Sequence, residues 1–221
     1  MNILVIENST HNLSIALKKH DKIFEQNKLS ANSSEYIISM IERLLNKADL
    51  DITGIDFFSL GLGPGSFTGL RIACSIIKGF YISLGKPIVG LPSFVALACE
   101  STFFDKNIAI ISDARKNLIY GAIYKKSEGK IKPVVTEKLL PLEEFLKRFC
   151  NKDCVFTGES IKFKESIEKI HPHVFIAENI IYPRAGLLID EAEQAYLNNN
   201  FISLDKLQPL YLHPDVCQVK K

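Results

Sequence analysis

The strongest constraint on the fold is an order of elements that the sequence runs through twice. Three apolar runs open the chain, Ile3–Ile6, Leu13–Leu17 and Ile23–Leu29, separated only by the polar turns His11-Asn12 and His20-Asp21-Lys22. Runs so short and so closely joined predict an antiparallel meander. Ile37, Met40, Ile41, Leu44, Leu45 and Ala48 then recur at spacings of three and four, which predicts a helix from Ser34, its candidate N-cap, to Asp49. A strand over Phe57–Leu62, a helix over Ser66–Leu84, a strand over Ile88–Gly90 and a helix from Ser93 to Phe104 follow.

The second half repeats this order. Strands are expected at Ile108–Ile111, Leu118–Tyr124 and Val134–Leu139, then a helix over Leu142–Phe149 and a strand over Val155–Thr157. A helix over Ile161–Ile170, a strand over Val174–Ile176 and a helix over Ala185–Tyr196 complete it. No residue-level identity accompanies the repeat, which is one of architecture. A meander followed by alternating helices and strands is the order of a ribonuclease-H-like lobe. The expected fold class is therefore α/β, a duplicated ribonuclease-H-like fold with two lobes, residues 1–105 and 106–221. Duplicated lobes of this kind form the actin, sugar-kinase and Hsp70 class, whose members usually hold a nucleotide between the lobes; that is an analogy of topology.

Composition narrows the function. Lys and Arg total 27 against 25 Asp and Glu, so no global field holds a polyphosphate chain. Arg43, Arg71, Arg115, Arg148 and Arg184 are scattered, without the basic stripe interleaved with aromatics that nucleic-acid binders show. The five cysteines, Cys74, Cys99, Cys150, Cys154 and Cys217, are odd in number, and three sit among apolar neighbours, as in a reducing compartment. The chain enters Ile3–Ile6 without the features of a secretory leader, and no run reaches the ~18 apolar residues of a membrane span. A cytoplasmic protein with no membrane partner is expected.

The sharpest local feature is Gly61-Leu62-Gly63-Pro64-Gly65-Ser66-Phe67-Thr68-Gly69-Leu70-Arg71, where a strand hands over to a helix. Gly63 and Gly65 permit positive φ or close backbone approach, Pro64 fixes a φ between them, and Ser66 or Thr68 can cap the helix start. A helix start can receive an anion. No Lys followed by Ser or Thr comes after the glycines, however, and Ser66 stands where a dinucleotide loop has its third glycine. The pattern is not that of a nucleophile elbow either. A tight packing turn is the plainer reading.

The string Gly63–Ile72 resembles the signature of the TsaB family, also called YeaZ. The likeness continues through Ile3–Thr10, Ser33-Ser34-Glu35, the segment Gly85-Lys86-Pro87-Ile88-Val89-Gly90, Asp113-Ala114-Arg115 and Pro209-Leu210-Tyr211-Leu212, more loosely in the second half. Two positions depart. The family opens its first strand with Asp-Thr, where this chain has Glu7-Asn8, and its first helix with His-Ser-Glu, where Ser33 takes the His position. The resemblance implies a non-catalytic protein with no cofactor and no metal of its own. Glu7, Ser9, Thr10 and Asp113 remain as vestigial-cleft candidates.

The resemblance also implies partners. The catalytic relative, TsaD, binds a metal through a His-x-x-x-His pair and uses threonylcarbamoyl adenylate to modify adenosine 37 of ANN-decoding tRNAs. This chain would pair with TsaD as a heterodimer through its two N-lobe helices, with Tyr36, Met40, Arg43, Arg71, Cys74 and Ser75 near the seam. An ATPase, TsaE, would be a third member, tRNA would be met only indirectly, and the isolated chain could form a homodimer through the same surface. Helix Ser66–Leu84 supports such a surface, because Ile72, Ile76 and Tyr81 lie off the face formed by Leu70, Ala73, Ile77, Phe80 and Leu84. Two helices packing on each other would explain the same breadth.

Rival chemistries find less in the sequence. A stand-alone ATP-binding kinase or ATPase of the actin-like class would need a glycine-rich adenosine segment in the second half, where Gly121, Gly129, Gly158 and Gly186 are isolated. A glycoprotease would need a metal pair or an activated nucleophile. His171-Pro172-His173 are close but have no carboxylate or thiol cluster beside them, and His11, His20 and His213 stand alone. Cys150 and Cys154 lack the second pair that a structural zinc site uses.

Overall fold

The computed structural model describes residues 1–30, 33–127 and 130–212, with only the backbone of residues 33 and 34. His213, Cys217 and Gly129 lie outside the described residues. The chain divides into two compact units, Met1–Ser101 with Tyr182–Pro209, and Thr102–Ile181 with Leu210–Lys221.

In the first unit, β1 (Asn2–Glu7), β2 (Asn12–Lys19), β3 (Lys22–Leu29), β4 (Phe57–Gly61) and β5 (Ile88–Leu91) form one sheet in the order β3-β2-β1-β4-β5. The meander β1-β2-β3 is antiparallel, whereas β4 runs parallel to β1 and β5 parallel to β4. Leu4, Ile6, Leu13, Ile15, Leu17, Phe58 and Leu60 share one face by the strand period of two. They are covered by α1 (Ile37–Ala48) and α2 (Phe67–Leu84). A further helix, α3 (Phe94–Glu100), follows β5.

In the second unit, β6 (Asn107–Arg115), β7 (Leu118–Ser127), β8 (Lys130–Pro141), β9 (Cys154–Gly158) and β10 (Phe175–Ile176) repeat that order as β8-β7-β6-β9-β10. The pairing senses are also the same, antiparallel in the meander and parallel beyond it. Ala109, Ile111, Ile119, Ile123 and Phe156 form a core with α4 (Leu142–Phe149) and α5 (Lys164–Ile170). Identical strand order and sense around two separate cores establish the duplicated ribonuclease-H-like α/β fold.

The last helix, α6 (Ile189–Leu197), departs from the linear division at residue 105, because its segment belongs to the first unit. Phe57 stacks on Tyr196 at 4.4 Å between ring centroids, and Lys18 Nζ pairs with Glu193 Oε2 at 2.6 Å. Ala185 N donates to Ser14 Oγ at 2.7 Å and Gly186 N to Glu25 Oε1 at 2.9 Å. The reason lies in the first sheet. Strands β1 and β4 are buried on both faces, so the face that α1 and α2 leave bare requires another cover. Periodicity shows that a helix has an apolar side, not which sheet receives it.

Smaller differences concern helix ends. A 3-10 turn, Ser33–Tyr36, precedes α1, so Tyr36 and not Ser34 holds the N-cap position. Helix α3 stops at Glu100, four residues short of Phe104, where Ser101 turns extended. Phe103 is instead drawn onto Phe175, 4.7 Å between centroids.

Candidate functional site

In the first unit the glycine-rich turn packs directly on the segment that follows β1. A Cβ on Gly65 would lie 2.1 Å from Ser9 O, and one on Gly69 would lie 2.2 Å from Asn8 O. One on Gly61 would lie 1.7 Å from Glu7 Oε2 and 2.6 Å from Ser93 Oγ. Three glycines, each four residues apart, are thus required for close approach. Gly63, at φ 97°, uses glycine's access to the left-handed region. Hydrogen bonds lock the contact: Ser66 N donates to Ser9 O at 2.6 Å, Asn8 Nδ2 to Gly69 O at 3.0 Å, and Gly63 N to Ser93 Oγ at 3.0 Å.

Two of the donors at the start of α2, Ser66 N and Gly69 N, are engaged within the chain. Gly69 N donates to Ser66 Oγ at 3.3 Å, as expected of an N-cap, and Leu70 N donates to Ser66 O at 2.9 Å. Ser93 sits at the N-cap of α3 but makes no cap bond, since its hydroxyl serves Gly63. Asn8 and Ser93 were not among the expected site residues. Ser93 was legible only as a helix start, and Asn8 only as the residue that replaces the family's Thr after Glu7.

Glu7 is fully buried at the end of β1. Its Oε1 accepts from Ser9 N at 2.7 Å, while no hydrogen bond of good geometry reaches Oε2. Burial pushes the Glu7 carboxyl above its ordinary value of 4.5, against the opposing pull of Ser9 and Ser93. The fold therefore binds this proton more tightly than the unfolded chain. Stability from this group is full below 4.5 and falls as pH rises through the raised value. Glu7→Gln keeps an acceptor for Ser9 N and removes the charge. Its thermal midpoint is expected to match the parent in mild acid and exceed it at neutral pH; a midpoint difference independent of pH would refute the assignment. Thr10 is engaged in a local turn, its Oγ1 accepting from Asn12 N at 3.1 Å.

Asp113 belongs to the second unit, where it closes the β6–β7 hairpin. Its Oδ1 accepts from Arg115 N at 2.7 Å and its own N donates to Glu159 Oε2 at 2.8 Å. Arg115, Lys116 and Asn117 are left-handed, at φ 64°, 51° and 62°. They line a hollow of about 510 Å³ with Asp113, Leu142 and Phe163. Glu159, although burial raises it, is held below the ordinary carboxylate range by Lys162, Asp113 N and Ser112.

The outer face of α2 is the other candidate. Phe67, Arg71, Ser75, Gly79 and Ile82 lie on one stripe at helical spacing, and all are exposed, Phe67 at 52% and Ile82 at 74%. Helix α2 is long and apolar enough to cross a membrane by length and composition alone, although Leu70, Ala73, Cys74 and Ile77 are buried in the core. Ser75 Oγ donates to Arg71 O at 2.9 Å and Ser83 Oγ to Gly79 O at 2.7 Å, so both hydroxyls are satisfied within the helix. Arg71 stacks over the Phe67 ring at 3.7 Å. On α1, Ile38 and Arg43 are exposed, and Tyr36 stands at its start.

Met40 and Cys74 need correction as seam residues. They are 2% and 4% exposed and belong to the core beneath α1 and α2. Ile72, Ile76 and Tyr81 are likewise half-buried against that core. An error of a third of a turn in helix phase separates these residues from the true outer stripe.

Among the described residues no group of three or more His, Cys, Asp or Glu side chains could hold a metal ion. His171 Nε2 lies 3.0 Å from Leu146 O, a contact between the end of α5 and α4.

Comparison with known proteins places this geometry. The family model described as TsaD, tRNA N6-adenosine threonylcarbamoyltransferase, matches residues 23–186. A Bacillus subtilis protein named tRNA threonylcarbamoyladenosine biosynthesis protein TsaB is 31% identical over 175 residues, 77% of this chain and 76% of that protein. An Escherichia coli protein of the same name is 24% identical, covering 100% of this chain and 98% of its own. The solved structure of YeaZ from Pseudomonas aeruginosa superposes with a TM-score of 0.84 at 23% identity, covering 96% of this chain and 100% of its own.

Proposed function

We infer the role of this chain from its kinship: it belongs to the TsaB (YeaZ) family, within the wider group that the TsaD family model matches. Its relatives are named for the biosynthesis of threonylcarbamoyladenosine in tRNA. We propose that this chain acts in that process in the cytoplasm as a non-catalytic subunit. It would hold a TsaD-type transferase in a competent state, with TsaE as a third member and tRNA met through the assembly.

The observation that carries the partner role is the outer stripe of α2. Phe67, Arg71, Ser75, Gly79 and Ile82 present an exposed, largely uncharged face on an apolar helix. Small, self-satisfied residues at its centre let another helix approach closely. The same face would serve a homodimer of the isolated chain. For a non-catalytic role, the supporting observation is the engagement of the cleft candidates. Glu7 and Ser9 are built into the contact with the glycine turn, and Asp113 into a hairpin. Gly121, a candidate adenosine glycine, instead makes room for Phe145, which a Cβ there would approach to 2.8 Å.

Co-expression with the TsaD of the same organism tests the proposal. The two chains are expected to elute together from a sizing column. Separate elution, with nucleotide and TsaE also present, would overturn it. Micromolar nucleotide binding with turnover by this chain alone would replace it with the kinase reading.

A further inference from the structure

Cys150 and Cys154 form a pair that the proposed function does not use. Cys150 occupies the C-cap of α4 and Cys154 opens β9, so three residues, Asn151 to Asp153, turn the chain between them. The turn is rigid on the Cys154 side. Cys154 N donates to Asn151 O at 3.2 Å, Asn151 N to Cys154 Sγ at 3.4 Å, and Asp153 N to Asn151 Oδ1 at 2.9 Å. Cys154 Sγ also lies 3.7 Å from Asn151 Oδ1. Cys154 is a buried member of the second unit's core, and Cys150 packs against that core while remaining partly exposed. Both are free thiols.

We propose that Cys150 and Cys154 are a dithiol modification site, which low-molecular-weight disulfides such as oxidised glutathione convert reversibly to an intramolecular disulfide. The exposed member meets the oxidant, and the buried member resolves the intermediate. First, Cys150 sulfur bonds to one sulfur of the small disulfide, whose S–S bond breaks and releases one thiolate. Cys154 sulfur then bonds to Cys150 sulfur and displaces the second thiolate. The two protein thiols lose two electrons and two protons in all, and the oxidant leaves as two free thiols. A small thiol reverses both steps.

The reduced pair is poised for the first step. Cys150 donates its S–H toward Cys154, which draws Cys154 down to about 7 and pushes Cys150 up. Asn151 N also helps hold charge on Cys154, while burial and Asp153 oppose it. At neutral pH Cys154 therefore carries thiolate character in the dithiol and takes up the S–H proton of Cys150 as Cys150 attacks the small disulfide; Cys154 then gives that proton to solvent as it closes on Cys150.

The full-length protein in glutathione buffers of graded oxidised-to-reduced ratio provides the test, with peptide mass mapping of every thiol after acid quenching. The expected result is a Cys150–Cys154 cross-link as the dominant oxidised product, lost again on adding excess reduced glutathione. In Cys154→Ser, Cys150 is expected to accumulate as a mixed disulfide with glutathione. Persistent glutathionylation of Cys150 in the parent protein without a cross-link would overturn the proposal. So would both thiols staying free at ratios that modify the half-exposed Cys99. Because the parent protein supplies the decisive readout, the test survives a variant that folds poorly.

Discussion

Gly65→Ala is expected to unfold the first unit at temperatures the parent protein survives, lowering its thermal midpoint by on the order of 10 °C. A Cβ at this position meets Ser9 O at 2.1 Å and Ser9 C at 2.9 Å. Those are backbone atoms, which cannot swing aside as a side-chain end can. Either the segment after β1 or the start of α2 must move, and the Ser66 N to Ser9 O bond of 2.6 Å is lost with it. Overpacking against backbone together with a lost hydrogen bond costs about 3 kcal/mol or more. Gly79→Ala supplies the contrast, because a Cβ there meets nothing within 4 Å. It should hold or raise the stability by up to about 1 kcal/mol through helix propensity alone. Calorimetry that follows both units separately makes the comparison, since the two need not melt together. Equal midpoints for Gly65→Ala and the parent would show that the turn is not the packing contact described.

The second large effect concerns the proposed TsaD partner. Gly79→Trp should leave the isolated chain folded and weaken its association with TsaD about 100-fold, a loss of about 2.7 kcal/mol. The substitution adds a bulky ring at the centre of the stripe Phe67–Arg71–Ser75–Gly79–Ile82, where the open space around Gly79 lets the fold tolerate it. A partner helix seated on small residues cannot accommodate the ring without lifting off neighbouring contacts. Lys22→Ala, at the exposed start of β3 and on neither α1 nor α2, is the control and should bind normally. Titration calorimetry with TsaD reads both variants. Unchanged affinity for Gly79→Trp would place the docking face elsewhere, whether or not the family role stands.

Much of the fold was legible because the signals were local. Strand alternation in Leu13, Ile15 and Leu17, and helical spacing in Ile37, Ile41 and Leu44, each report a single apolar face, and all these residues are buried as that reading requires. The duplicated order of elements then implied two sheets of the same topology, which the strand orders bear out. Residues joined by chemistry rather than periodicity were harder to see. Ser93 read as a helix cap, yet its hydroxyl accepts from Gly63 N, thirty residues away in the chain. Met40 and Cys74 were placed near the seam through the resemblance, although the apolar spacing already set Met40 beside Ile37 and Ile41; both are buried, and each residue turns a helix by 100°, so a neighbour one position away faces out.

The glycine turn shows where each kind of information stops. Its sequence determined that a strand ends and a helix begins there, that Ser66 or Thr68 caps the helix, and which family the chain resembles. Each of those depends on residue type and near neighbours. Only the tertiary structure decided why the glycines stand at 61, 65 and 69: each abuts an atom of Glu7, Ser9 or Asn8, more than fifty residues earlier in the chain. The same holds for Tyr182–Pro209, whose elements were foreseen while their allegiance to the first unit was not. Local pattern specifies what an element is, and the free energy of covering a distant apolar face decides where it goes.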